Sequence, residues 1–530
     1  MKDNAYPIDV YSVYEYGLKK WQKDFFWPMD HNWFLEVQKD VRNLFVNFAN
    51  ENDNDIGDIV LIKSKIYYEL ANILYAIKLV DELKRLGRRI VYSDKSFYFK
   101  GLIERGIPEY TFIENYESKP IPVLRQLMTK IARLRDNIAC RLYFALSKDE
   151  MPIVVTRRSI LNRKYFKQLP RRPVCLFDCG TIFKRKTTLS DDILRSLKNT
   201  IALFTGKMCE IADRYSVPLS QAQKAFMRDY MTRQFNKAAE DYIGIKETLR
   251  DLRKFHVISG SHGSYLARLL GLAAKRVGGK ATNFSHGYDV FTCLRKIHSI
   301  EDWSTTDEYV IQLESSVPRI NKVIQKYPIP RNNRVEFVPE ECTSLQDLYR
   351  RKKGMKLPEN IKTVMVMGFS YIIDFVRSDQ LPDLVYLDYE TRLIDFLADR
   401  GYKILYKKHP DGMLKGDILK IFGEKATVIH DRFEDVMDEG DAFLFSAAGS
   451  STWSPAVCTQ KPIIYINNNW HDIWFPEVYE LVKKRCRVVS GWFDERNRYI
   501  FNEKELLDVL SQKVEPPNTE FLEACMFPKK

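Results

Sequence analysis

Residues 442–452 read Ala-Phe-Leu-Phe-Ser-Ala-Ala-Gly-Ser-Ser-Thr, four apolar residues followed by a run of small and hydroxylated ones. A short apolar run bounded by turn-forming residues is the signature of a buried strand. The same alternation continues outward from it. Residues 363–367 are a strand leading into Gly368-Phe369-Ser370, and 403–406 are a strand leading into Lys407-Lys408-His409-Pro410. A helix over about 389–400, stopped at Gly401, separates these two strands. A strand at 426–429 and a short helix at 433–438 come next, and 462–466 is a further strand beyond the opening stretch. Two helices are expected to end the chain. Strands that alternate with helices build β-α-β units and hence a parallel, doubly wound sheet.

The first half carries the pattern less cleanly. Residues 1–57 are aromatic-rich, with Trp21, Phe25, Phe26, Trp27 and Trp33, and read as an irregular N-terminal cap. DIVLIK at 58–63 reads as a buried strand, 67–86 as a helix closed by Gly87, and 89–92 as the next strand. Further strands are placed at 174–177, 256–258, 281–284 and 308–312. Two or three polar helices fill 191–254, and another over 265–276 ends at Gly278-Gly279. The stretch 313–360, with Pro318, Pro328, Pro330, Pro339 and Pro358, reads as the connection between domains. The expected organisation is a cap over 1–57, a Rossmann-like domain with a helical insertion over 58–340, and a second Rossmann-like domain over 341–530. The length fits, because 530 residues exceed what one hydrophobic core spans.

Composition narrows the class. Hydrophobic residues at 45% and charged residues at 29% are those of an ordinary globular chain. No window approaches the ~18 apolar residues of a membrane span. Met1-Lys2-Asp3-Asn4 has no apolar run behind it, which argues against a secretory signal. Nine cysteines without C-x-x-C spacing read as reduced thiols of a cytoplasmic protein, not as a zinc site. The net charge of +13 fits an anionic partner. Part of it is local: residues 121–172 hold thirteen Lys or Arg against three Asp or Glu. Within that segment Leu124, Leu127, Met128, Ile131, Leu134, Ile138 and Leu142 recur at helical spacing. Two readings stand, a surface helix packed on its own domain and a basic amphipathic helix lying on anionic lipid. The second would place the protein at the periphery of a membrane. No RRM, KH or zinc-finger signature supports a nucleic-acid partner.

Ligands of open α/β sheets gather outside the carboxyl ends of the strands, so the residues after each strand are the candidates. Ser450, Ser451 and Thr452 follow small residues that let backbone N–H groups approach an anion, and a helix is expected to begin just after them. The alternative is an ordinary Ser/Thr cap. His409, held by Pro410, is placed to donate to a phosphate or a ribose; of Lys407 and Lys408, which alternate faces, one at most points to the ligand. Gly368 and Ser370 close the same edge. In the first half, His286 in Ser285-His286-Gly287 faces an acceptor or leaving group, and Ser261-His262-Gly263 is a weaker copy. Asp178 in Asp178-Cys179-Gly180 is either a rim carboxylate acting as base or nucleophile, or a turn former. Glu240, Asp241 and Asp289 are reserve carboxylates. Glu477, in Trp474-Phe475-Pro476-Glu477, either accepts ribose hydroxyls or places charge at a helix N-terminus. No metal-binding pattern is present, and no metal is expected.

Three pieces carry a family resemblance: Tyr406-Lys407-Lys408-His409-Pro410, then Ser450-Ser451-Thr452 about forty residues on, then Gln460-Lys461-Pro462-Ile463-Ile464-Tyr465. Together they resemble the nucleotide-sugar domain of a GT-B glycosyltransferase, in which two Rossmann-like domains face a cleft. The closest likeness is to bacterial capsule and lipopolysaccharide transferases of the Kdo and sialic-acid type. In those, an HP motif and a serine pair hold the CMP phosphate and a D/E-x-G-like turn of the first domain supplies the base or nucleophile, which maps here to Asp178 and Gly180. Teichoic-acid polyol-phosphate transferases are similar too, through His286-Gly287 and the second-half motifs. The resemblance implies a metal-independent glycosyltransferase that moves a sugar from a CMP-sugar, as co-substrate, to a surface-polysaccharide or lipid-linked glycan acceptor. A CDP-glycerol or UDP-sugar donor is the alternative, and a non-enzymatic basic lipid- or nucleic-acid-binding protein the third reading.

Overall fold

The computed structural model describes residues 4–96, 98–109, 153–157, 174–175, 187–252, 256–260, 264–285, 291–294, 297–340, 343–372, 376, 380–410, 419–446, 450–467 and 474–527, with single positions at 138 and 165. Two doubly wound parallel sheets carry it. The first contains β3 (Ile153–Arg157), β4 (Val174–Cys175), β5 (His256–Ser259), β6 (Lys280–Phe284), β7 (Glu308–Ile311) and β8 (Glu336–Pro339), in the order β4-β3-β5-β6-β7-β8. Every pair in it is parallel.

The second sheet contains β9 (Thr363–Met367), β10 (Lys403–Lys407), β11 (Thr427–Ile429), β12 (Ala442–Phe445), β13 (Ile463–Asn467), β14 (Arg487–Phe493) and β15 (Tyr499–Phe501), in the order β11-β10-β9-β12-β13-β14-β15. Counted from β9, the parallel strands run 3-2-1-4-5-6, the Rossmann order, and only the β14–β15 pair is antiparallel. The central strands β9, β10, β12 and β13 are buried on both faces, as strands covered by helices on both sides must be.

Loops beyond the carboxyl ends of the two sheets meet. Cys293, after β6, and Trp474, after β13, form an isolated antiparallel bridge, and Phe475 N donates to Thr292 O at 3.4 Å. Nearby, Arg319 donates to the Cys525 carbonyl at 3.2 Å, which ties the end of the chain to the first half.

The first half departs from the sequence reading in five places. DIVLIK is not a strand but part of the helix Asp55–Ile62. Asn54 caps that helix through Ile56 N and Gly57 N, and Asp55 and Asp58 lie in its first turn. A short helix buried on all sides has the same continuous apolar run as a buried strand, and capping decides between them. The N-terminal segment is not irregular either. Its main element is the helix His31–Glu51, capped by Asp30. This segment braces the second half: Trp27 N donates to Arg496 O at 2.7 Å, and the His31 ring meets Asn497 O at 2.8 Å. The strand β2 (Arg89–Val91) pairs with β1 (Ala5–Pro7) in a separate two-stranded sheet rather than joining the large one. Strands β3 and β8 were not anticipated.

The helices at Ile66–Arg85 and Tyr265–Arg276 lie where the sequence places them. Gly278, at φ +79°, lets the chain leave the second one. At the far end, the chain does not finish with two bare helices. The hairpin β14–β15 stands between Pro476–Arg485 and Glu503–Ser511. Among the described residues, no helix is long and apolar enough to cross a membrane. Most of the basic segment 121–172, including its helical repeat apart from position 138, lies outside the described residues. Residues 153–157 within it are no surface helix: they form β3, next to β5, with Ile153 and Val155 buried.

Candidate functional site

In the second sheet the strand order reverses between β9 and β12, and the crevice outside their carboxyl ends is where a doubly wound sheet binds its ligand. Gly368, Phe369 and Ser370 leave β9 on one side of it. Ser446 leaves β12 on the other, and Ser450, Ser451 and Thr452 follow. Lys408, His409 and Pro410 leave β10 beside β9. The strand register thus brings three of the predicted motifs to one sheet edge.

Their local geometry differs. Gly368 N continues the ladder to Lys407 O at 3.0 Å. A side chain there would run into the Tyr406 ring, since a Cβ would lie 2.5 Å from its hydroxyl, so the position requires glycine. Ser370 is buried, and its hydroxyl finds no partner among the described residues. An unmet buried hydroxyl costs about 1–3 kcal/mol, which a ligand group can recover. Ser285, at the carboxyl end of β6 and next to His286, is buried with the same unmet hydroxyl.

In the loop after β12, the Ser450 hydroxyl lies 2.6 Å from that of Thr452 and accepts from Thr452 N at 3.3 Å. This is a local serine turn, not a helix cap: Thr452, which precedes the helix, makes no side-chain cap bond. Ser451 is exposed. The helix that follows, Trp453–Val457, has only five residues, so its dipole is small and cannot supply the positive potential expected of a full helix N-terminus. Lys407 turns into the protein: its ammonium is buried, donates to Lys408 O at 2.8 Å, and is pushed below the usual lysine range by desolvation. Lys408 and His409 are half-buried, and Pro410 is exposed.

Glu477 stands in the first turn of Pro476–Arg485, where it pairs with Lys322 of the first half. That ion pair holds its carboxyl below the usual range. The carboxylate therefore links the two halves, and the helix-charge reading suits it better than a ribose contact. Asp178, His286 and Asp289 lie outside the described residues, as does Ser261-His262-Gly263. Glu240 is exposed on the long helix Gln221–Leu252, and Asp241 there accepts from the Tyr265 hydroxyl at 2.9 Å, so neither is at a strand end.

The residues that hold this edge in shape were missed. They lie on Asp383–Ala398, the helix that crosses from β9 to β10. Glu390 is buried there, and one carboxylate oxygen accepts from Phe369 N at 2.9 Å. The other accepts from the Tyr371 hydroxyl at 2.5 Å and the Tyr406 hydroxyl at 2.7 Å. Burial pushes this carboxyl up to about 7, although all three donors favour its charged form. Its neighbour Tyr389 reaches the other side of the crevice, with its hydroxyl 2.5 Å from that of Ser446 and its ring stacked on Tyr499 at 4.2 Å. From the first half, Asn72 grips the loop after β9 through both backbone groups of Val376, at 2.7 and 3.0 Å. A buried Glu next to a Tyr inside an apolar helix was the available signal.

No family model matches the chain, and no curated protein matches it either. Among solved structures, it is similar to Os79 from O. sativa in complex with UDP, at 11% identity over 74% of this chain and 88% of that one, with a TM-score of 0.34. It is also similar to a UDP-N-acetylglucosamine 2-epimerase from Rickettsia bellii, at 13% identity over 73% of this chain and 89% of that one, with a TM-score of 0.32. Likenesses this faint add nothing to the strand order, which by itself makes the chain a two-sheet, doubly wound α/β protein.

Proposed function

We propose that the protein is a GT-B glycosyltransferase that binds a nucleotide sugar at the carboxyl edge of its second sheet and transfers the sugar to a glycan or lipid-linked acceptor. The observation that carries this reading is the switch point between β9 and β12, which gathers Gly368–Ser370, Lys408-His409 and Ser450–Thr452 at one crevice. Loops from the first sheet meet the same end of the molecule, as a transferase that holds donor and acceptor on separate domains needs. Rossmann-like domains would lie over 58–340 and 341–530, with 1–57 as a brace between them.

In this reading the donor phosphate lies against the loop after β12, where Ser451 and backbone N–H groups donate to it. His409 neutralises charge on the leaving phosphate, Lys408 adds positive potential, and the Ser370 hydroxyl completes a contact it otherwise lacks. No metal is required for that neutralisation. Asp178 would deprotonate the acceptor hydroxyl or attack the sugar carbon, and His286 would face the acceptor. The donor class is a CMP-sugar of the Kdo or nonulosonic-acid type, by resemblance of the HP and serine motifs. Capsule or lipopolysaccharide synthesis is the corresponding setting, with the basic 121–172 segment near a lipid-linked acceptor at the inner face of a membrane.

The test is donor turnover. Purified protein is incubated with CMP-, CDP- and UDP-linked donors, and release of free nucleotide is followed. Release from a CMP-sugar, abolished in His409→Ala and Asp178→Asn while both stay folded, is the expected result. Release from CDP-glycerol or a UDP-sugar instead would keep the edge and replace the donor. No release from any donor, with or without mixed glycan acceptors, would overturn the enzyme reading.

A further inference from the structure

We propose that Tyr389 and Glu390 are positioning residues that set the two walls of the nucleotide crevice before any ligand arrives. The inference rests on the nucleotide reading of that crevice. It stands on geometry: two consecutive residues of one helix bond to loops on opposite sides of the point where the strand order reverses. Glu390 holds the Phe369 amide, the only one of its three donors that cannot rotate away. Tyr371 and Tyr406 complete the carboxylate from the loop after β9 and from β10, and Tyr406 also fills the space beneath Gly368. Tyr389 fixes the Ser446 hydroxyl, from which the serine loop departs.

Both side chains are buried and, unlike Ser370, have their polar atoms bonded to protein partners, so both act on the crevice through the loops they hold. Both are packed stiffly: Tyr389 on Tyr499, Tyr406 on Phe422 at 4.4 Å, and the Phe369 ring on Tyr386 at 3.5 Å. Among the described residues this buried carboxylate is held by two hydroxyls and one amide, with no cation against it, which is a costly way to secure a fold. Its value is directional. It fixes one backbone N–H at the mouth of the crevice, and a preformed site loses less freedom on binding.

The experiment compares wild type with Glu390→Gln, Glu390→Leu and Tyr389→Phe in three measurements. These are calorimetric affinity for CMP, CDP and UDP, the thermal midpoint without nucleotide, and amide exchange of the segments containing Phe369 and Ser446. Glu390→Leu should weaken nucleotide binding about a hundredfold and Tyr389→Phe about threefold to tenfold. Glu390→Gln keeps an acceptor for Phe369 N and should recover most of the loss. Exchange should quicken at the Phe369 segment in Glu390→Leu and at the Ser446 segment in Tyr389→Phe, with other helices unchanged. Wild-type binding matched by all three variants would overturn the proposal and leave the nucleotide reading intact. Weakened binding with a matching fall in midpoint and faster exchange throughout would also overturn it, because the residues would then be structural supports. Failure of wild type to bind any of the nucleotides would overturn the nucleotide reading and this proposal together.

Discussion

Two buried carboxylates, one in each half, are built in opposite ways. Asp58 in the first half is fully enclosed yet touches two guanidiniums, Arg276 at 2.7 Å and Arg331 at 2.5 Å, together with the Tyr242 hydroxyl. Burial pushes its carboxyl up, but those donors more than offset burial and hold it below the ordinary aspartate value. Glu390 in the second half meets no charged group among the described residues, and burial wins, raising it to about 7. Asp58 ties three chain segments together far from any strand's carboxyl end, while Glu390 sits directly behind the candidate crevice. A carboxylate with cations secures a fold, whereas one held by neutral donors keeps a precise shape at the expense of stability.

The contrast can be broken most forcefully at Asp58. Asp58→Asn leaves two guanidiniums facing a neutral amide in a buried cluster and should cost about 3–5 kcal/mol in denaturant unfolding. Nucleotide affinity of the molecules that remain folded should not change. A cost below about 1 kcal/mol would mean that the cluster secures nothing.

The pH dependence sharpens the contrast. Glu390 has a folded value above its unfolded one, so its charged form disfavours folding. This group's contribution to stability falls as pH rises from about 4.5 through about 7, by about 3 kcal/mol in all. Asp58 runs the other way: its contribution is present above the ordinary aspartate value and is lost as pH falls through its lowered one. Unfolding free energies of wild type and Glu390→Gln, measured from pH 5 to pH 8, should therefore diverge in favour of the variant as pH rises. Parallel curves would show that Glu390 does not titrate in that range.

A third break concerns the N-terminal brace. Burial pushes the His31 imidazole down to about 4, so it folds neutral. The unfolded chain takes up a proton that the folded one refuses, and about 3 kcal/mol is lost as pH falls from about 6.5 to about 4. His31→Gln should flatten that part of the acid limb. The smallest effect is expected at the exposed Lys322–Glu477 pair between the halves, where Lys322→Ala should change stability by about 0–1 kcal/mol.

The second half was the more legible one for a physical reason. Its strands β9, β10 and β12 are short apolar runs closed by Gly, Lys-His-Pro and Ser, and 363–367 and 442–445 match the structure residue for residue. The edge motifs could be found because strand order and loop chemistry leave local traces. The first half misled where burial removed the periodicity. Gly57–Ile62 is buried without a break, and only the Asn54 cap separates helix from strand. Strand β3 was hidden inside a basic stretch, and β8 inside a proline-rich one that reads as a linker. Arg487–Phe493 alternates, with Val489 and Gly491 buried and Ser490 and Trp492 exposed, and the expectation of two closing helices leaves this strand out. Tyr389 and Glu390 show in sequence only as a Tyr-Glu pair inside an apolar helix, which nothing local connects to partners 57 and 21 positions away.

The most direct test of the central claim is calorimetric titration of the purified protein with CMP, CDP, UDP and GDP in the absence of added metal, repeated with His409→Ala. Saturable binding of one pyrimidine nucleotide, weakened about tenfold to a hundredfold in the variant with the fold unchanged, is the predicted result. No binding of any of the four to the folded wild-type protein would contradict it.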